Sequence, residues 1–405
     1  MKDERHRPDD AAPLRADLFS AAQMAVHGRR LAAEHQLGTQ PGSARLLDRL
    51  ADNAAVILEA CGALTLAARD GVRLAPAADW LLDHRYLIEE QVRLAHSHLP
   101  RHYSRALPCL ALAPGEDEAG SHPRVYRLAL EAVAHGDGRV EPESLARFVA
   151  AYQEGAPLAL GELWAVPIML RLALLDNVRR IAARQAHTCR QRALANRWAD
   201  RLAGQADQRP GDLILLVADM AREVPAMDVS FVAELTRRLQ GRSGPLTQAL
   251  QWVATRLADD ERTIEQSVQT DIARQSADQV SVANSIGSLR LLGTMDWREF
   301  VETLSAVEQA LRQDPAGVYG KMDFATRDHY RHTIERLARA SRRSEIEVAG
   351  EALALAGESG QGGREHHVGY FLAGAGMARL ERRLKLGTAA HRSVRRLLRR
   401  LPLPF

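Results

Sequence analysis

Aromatic side chains are scarce in this 405-residue chain: five Trp, seven Tyr and seven Phe, 5% in all. Alanine, leucine and arginine dominate instead, and because these are strong helix formers the expected fold is all-α. Cysteine is nearly missing. Cys61, Cys109 and Cys189 are far apart and odd in number, which excludes a disulfide framework and any metal or redox spacing. They read as reduced core residues of a cytosolic protein. An excess of one charge is missing too: 54 Lys and Arg face 51 Asp and Glu, leaving no global field to attract nucleic acid. No window reaches the roughly 18 apolar residues of a membrane span. The nearest, Leu163 to Leu175, is too short and carries Arg171. The charged start, MKDERHRPDD, has no apolar stretch and is not a signal peptide.

What is present is helical periodicity. Leu46, Leu50, Ala54, Ile57 and Cys61 recur every three to four residues in a helix expected to start at Ser43. Leu81, Ile88, Val92, Ala95 and Leu99 predict another over 80–99. Residues 163–175 are apolar on almost every face, so the helix around them should be buried all round at the centre of a bundle. Pro167 should set its first turn or bend it. The run 261–292 is long, polar and rich in serine and glutamine. Asp296 caps the next helix, Thr326 is the expected cap of the one carrying Tyr330, and Ser344 with Glu347 makes a capping box. HVGYFL is the one stretch with convincing strand propensity. The expected layout is a disordered 1–12, a helical domain over 13–357 with a possible boundary near 204–212, and then 358–405: a flexible segment, a short strand and a basic tail.

Met295 to Ala338 is the densest chemistry in the chain, with Tyr319, Asp323, Arg327, Asp328, His329 and Tyr330 grouped near a helix start. The cluster could be a surface that contacts a partner or a glycan, but polar groups at a helix start are more commonly a capping and salt-bridge network, and that reading is favoured. Elsewhere the spacing favours ordinary structure. Tyr152, Glu162 and Trp164 could form a sugar platform, but Trp164 opens an apolar helix and so belongs to a core. The run His135-Gly136-Asp137-Gly138-Arg139 reads as a helix end and turn. His96 and His98 do not share a helix face and make a poor metal set with His102. Asp176 and Glu131 are carboxylates of the kind a glycosidase uses, with nothing in the sequence to place them opposite each other. No metal and no cofactor are expected.

Several stretches together carry a resemblance. They are PLRADLFSAAQM (13–24), WLLDHRYLIEEQVRLAHSHLPRHYSRALP (80–108), PRVYRLALEAVAHGDGRV (123–140), FVAAYQEGAPLALGELWAVPIMLRLALLDNVRRIA (148–182), ADQVSVANSIGSLRLLGTMDWREFVETLSAVEQALRQDP (277–315), VYGKMDFATRDHYRHTIERLARAS (318–341) and HHVGYFL (366–372). In these the chain resembles the region preceding the first membrane helices of cyclic β-1,2-glucan synthases. Those are bacterial proteins joining a family 84 glucosyltransferase to family 94 phosphorylase-like domains. The resemblance implies a parent that builds glucan from UDP-glucose through a protein-linked intermediate. Neither a DxD pair nor a Gly-rich phosphate loop occurs in this chain, so no catalytic residue carries over.

The resemblance therefore implies a cytosolic accessory or scaffold region, inactive alone and either a fragment or a truncation. Its partners would be linked or separate glucosyltransferase and phosphorylase-like domains, β-1,2-glucan and an anionic membrane surface. Tyr319 and Tyr330 are candidates to carry a glucan. Arg392, Arg395, Arg396, Arg399 and Arg400, with leucines between them, would meet lipid at the cytoplasmic face of the inner membrane. Two rivals come from other classes: an independent all-α carbohydrate-active enzyme, and a peripheral membrane-surface helical protein.

Overall fold

The structure, a computed structural model, describes residue 14 and residues 16–38, 45–99, 106–111, 122–241, 244, 246–359 and 363–386. The arginine tail and residues 1–12 lie outside them. In chain order the helices are α1 (Ala21–Glu34), α2 (Arg45–Arg69), α3 (Pro76–Asp83), α4 (Arg85–His98), α5 (Arg124–His135), α6 (Pro142–Gln153), α7 (Leu160–Gln208), α8 (Leu213–Glu223) and α9 (Val229–Leu239). They continue as α10 (Leu246–Ala258), α11 (Ile264–Leu291), α12 (Trp297–Leu304), α13 (Ala306–Leu311), α14 (Phe324–Ser341), α15 (Glu345–Glu358), α16 (Gly369–Leu372) and α17 (Met377–Arg383). The fold is all-α. Among the described residues the nearest approach to sheet is two isolated bridges, Leu37 to Leu110 and Cys109 to Pro123.

The apolar run at 163–175 sits inside α7, which at 49 residues is roughly 70 Å long. Its first half is buried on nearly every side beneath α2, α5, α11 and α12. Pro167 lies two turns into the helix rather than at its start. Among the described residues the buried apolar side chains divide into three cores. The first surrounds the front half of α7 and takes in α1 to α6 with parts of α11 and α12. The second, from Val307 to Leu384, is built by α13 to α17. The third starts at Ala195, still on α7, and joins α8, α9 and α10. The GQADQRPGD stretch lies within this third group, where α7 ends and a single 3₁₀ turn, Pro210–Asp212, leads into α8.

The polarity of α11 has a structural cause. Beside Val282, Ile286 and Leu289, its buried face carries Ser267, Asp271, Asp278, Ser281, Ser285 and Ser288, and it packs on α7, α3 and α9. Asn177 of α7 donates to both Ser281 and Ser285 at 3.1 Å, while Arg184 and Gln185 bond Asp278. Ser288 bonds the Gly138 carbonyl and receives the Val140 amide, both at 2.8 Å. Gly138 has φ of 79°, and a Cβ there would overlap the Ser285 hydroxyl. The turn after α5 thus needs glycine both for its backbone and for its contact with α11.

Three local expectations are corrected. HVGYFL is not a strand: Val368 precedes the short helix α16, and Val368, Phe371 and Leu372 are fully buried in the second core. Their spacing of i, i+3, i+4 is that of one helical turn, and periodicity cannot separate helix from strand over so short a run. The cap of α14 is Asp323, not Thr326. Asp323 accepts the Thr326 amide at 3.0 Å and the Thr326 hydroxyl at 2.7 Å. The helix foreseen over 80–99 is two helices, broken at His84. Ser344 and Glu347 do form the expected capping box. By length and composition α2 is also a candidate membrane span, which counting unbroken apolar runs passed over. In the folded chain Leu46, Leu50, Ile57, Cys61 and Leu64 are buried and α2 packs on α7, while Leu58 and Leu66 remain exposed.

Candidate functional site

The polar cluster of the 295–338 region is organised around a residue outside the expected set. Ser305 caps α13 and places Glu308 in its first turn, fully buried. Its carboxylate accepts from Arg312 Nε at 3.1 Å, Arg327 at 2.7 Å, Arg331 at 2.7 Å and the Tyr319 hydroxyl at 2.6 Å. Burial alone would raise the Glu308 pKa, but the Tyr319 bond and the guanidinium groups outweigh it and hold the carboxyl below its usual range. Arg331 is also fully buried and reaches Glu302 and Asp328 as well.

The six expected site residues take separate places around this hub. Tyr319 is fully buried, and burial followed by its bond to Glu308 pushes its pKa far up. Its proton is committed to Glu308, which leaves a poor nucleophile. Asp323 is the α14 cap. Arg327 bridges Glu302 and Glu308. Asp328 accepts from Arg331 and lies 3.3 Å from His332. Burial lowers the pKa of His329. Tyr330 packs between Tyr319 and His367, and a Cβ on Gly369 would overlap its hydroxyl. Nearby, the Asp314 carboxylate accepts from the Val318, Tyr319 and Val368 amides and from His367. Burial is opposed there by the Val368 amide and His367, and the net effect lowers the Asp314 pKa. The arrangement closes the turn after Asp314 and locks α13, α14 and α16 together.

Of the other sequence candidates, Tyr152, Glu162, Asp176 and Glu131 have internal partners, whereas Trp164 Nε1 is buried with no hydrogen-bond partner among the described residues. Glu162 caps its own helix by accepting the Ala159 amide and takes both bonds of Arg124 at 2.6 Å. Tyr152 is in the first core. Asp176 is enclosed by Arg49, Arg179 and Arg180. Glu131 belongs to a different network, so the two carboxylates do not share a site.

A cleft of about 380 Å³ lies between the first and second cores, lined by Glu162, Glu335, Arg339, Arg343 and Glu345, among others. Glu345 accepts the amide of Leu160, the first residue of α7, at 2.8 Å. Burial pushes its pKa up to about 7. Among the described residues its lining holds no aromatic ring, and its carboxylates and guanidinium groups offer hydrogen bonds.

One group escaped sequence reasoning. His27 of α1 and Glu131 and His135 of α5 meet with one ligand-capable atom each, all within 4.8 Å of one another. Glu131 and His135 are four apart on one helix face, a visible spacing. His27 is 104 residues from Glu131, and only the packing brings it in.

An all-α chain whose polar clusters join its helices can be set beside known proteins. It is related to cyclic β-1,2-glucan synthases. Over 396 residues, 96% of its length, it is 32% identical to the cyclic β-(1,2)-glucan synthase NdvB of Rhizobium meliloti strain 1021. The chain spans 14% of the length of that relative. No family model matches it.

Proposed function

We propose that this chain serves as the helical accessory region of a cyclic β-1,2-glucan synthase system, positioning glucosyltransferase and phosphorylase-like domains rather than performing transfer itself. The observation that carries this reading is the similarity to a glucan synthase along nearly the whole chain. It is supported by the site geometry, where the densest polar cluster is spent on joining helices. Tyr319, fully buried and bonded to Glu308, is a poor glucan carrier. The cleft beside Glu345 suits contact with sugar hydroxyls or with a partner segment. Five arginines at 392–400 would each add about 1 kcal/mol of attraction to anionic lipid, holding the region at the cytoplasmic face of the inner membrane.

The test uses membranes containing a relative's synthase from which the matching stretch has been deleted. Incorporation of glucose from UDP-glucose into β-1,2-glucan is expected to fall, and the purified chain, added back, to restore part of it. Glucan elongation or hydrolysis by the purified chain alone, or full activity after the deletion, would overturn the proposal.

A further inference from the structure

With His135 neutral, the groups around Glu131 set two acceptors face to face, an arrangement that a cation resolves. The Asp17 carbonyl can only accept, so His135 Nδ1, 2.6 Å away, must carry a proton. A neutral His135 then turns the lone pair of Nε2 toward Glu131 Oε2 at 3.5 Å, acceptor facing acceptor. On the other side the Arg30 guanidinium can only donate, so His27 Nδ1 accepts it at 2.9 Å and Nε2–H points to Glu131 Oε2 at 3.0 Å. Separations of 3.0 and 3.5 Å suit atoms sharing one ion at bond lengths of about 2.0–2.2 Å. Donation from a histidine's other nitrogen to a backbone carbonyl is the support that metal-ligating imidazoles use. Phe19 stacks on the His135 ring at 3.8 Å and fixes its orientation.

We propose that His27 Nε2, the Glu131 carboxylate and His135 Nε2 form a three-ligand site for a zinc-class divalent ion. His135 and Phe19 also line a cleft of about 220 Å³, which gives a fourth ligand, water or substrate, a route in. On binding, the His27 proton moves from Nε2 to Nδ1 through solvent, and Arg30 gives up its contact there. Arg30 is exposed and already 3.8 Å from Glu34, an alternative partner. No net proton is released if His135 starts neutral; one is released if it starts as imidazolium.

The full 405-residue chain, stripped with chelator, is titrated with Co²⁺ and with Zn²⁺. Cobalt d–d absorption and metal content after desalting are read. One ion per chain is expected. Glu131→Gln and His135→Gln should each lose stoichiometric binding while keeping the helical circular dichroism of the parent. Arg30→Ala, which removes the competing charged donor to His27 Nδ1, should tighten binding by about 10-fold. Substoichiometric uptake, or uptake unchanged in both ligand variants, overturns the site. Should a ligand variant fail to fold, Arg30→Ala decides: unchanged or weaker binding counts against the site.

Discussion

Two enclosed carboxylates in this protein show opposite bonding. Glu308 receives four donors, three of them guanidinium groups and one a phenol, and nothing facing it lacks a proton. Glu131 has His27 Nε2 at 3.0 Å, His135 Nε2 at 3.5 Å and Arg127 Nε at 3.5 Å. The contrast separates a joint from a receptor. A buried carboxylate whose acceptor capacity is filled by fixed cations holds helices in place, and removing it strands those cations. A carboxylate bordered by imidazoles keeps ligand-capable atoms available.

The sharpest way to break this comparison is to neutralise both. Glu308→Gln leaves Arg331 fully buried against a neutral amide and should cost about 3–5 kcal/mol in urea unfolding. Glu131→Gln should cost about 1 kcal/mol, since it loses essentially one hydrogen bond. Equal losses would erase the distinction.

A second prediction concerns pH. The Glu345 pKa of about 7 in the folded chain lies above its ordinary value of 4.5, so the folded state binds the extra proton between those limits. That stabilisation is complete below about pH 4.5 and is lost as pH rises through about 7. Glu345→Gln, fixed in the neutral form, should match the parent at pH 4.5 and exceed it by roughly 1–2 kcal/mol at pH 8, after allowance for partial exposure. Thermal unfolding across that range checks it. The smallest effect is expected at the exposed α14 cap, where Asp323→Ala should fray the first turn and lower the thermal midpoint less than either carboxylate change does.

The sequence was most informative where the signal is local. Residues 163–175 announce a buried helix because no face of it is polar, and Ser344 with Glu347 announces a cap because the two partners are three residues apart. It was least informative where the partner is remote. The serine face of α11 looks like solvent-exposed sequence until Asn177, Gly138 and Val140 are brought against it. Tyr319 and Arg327 were picked out by density alone, but the hub they serve, Glu308, sits on another helix among ordinary surface-like residues. Glu131 and His135 could have been paired by spacing; His27 could not. The strand foreseen at HVGYFL failed for a different reason, since six residues are too few to separate a period of 2 from one of 3.6.

The most direct measurement of the contrast between the two carboxylates is the melting temperature with and without one equivalent of Zn²⁺, for the parent, Glu308→Gln and Glu131→Gln. An ion that binds only the folded chain raises Tm. A rise in the parent and in Glu308→Gln, with none in Glu131→Gln, is the expected result. A zinc response that survives in Glu131→Gln, or that is lost in a still-folded Glu308→Gln, would contradict it.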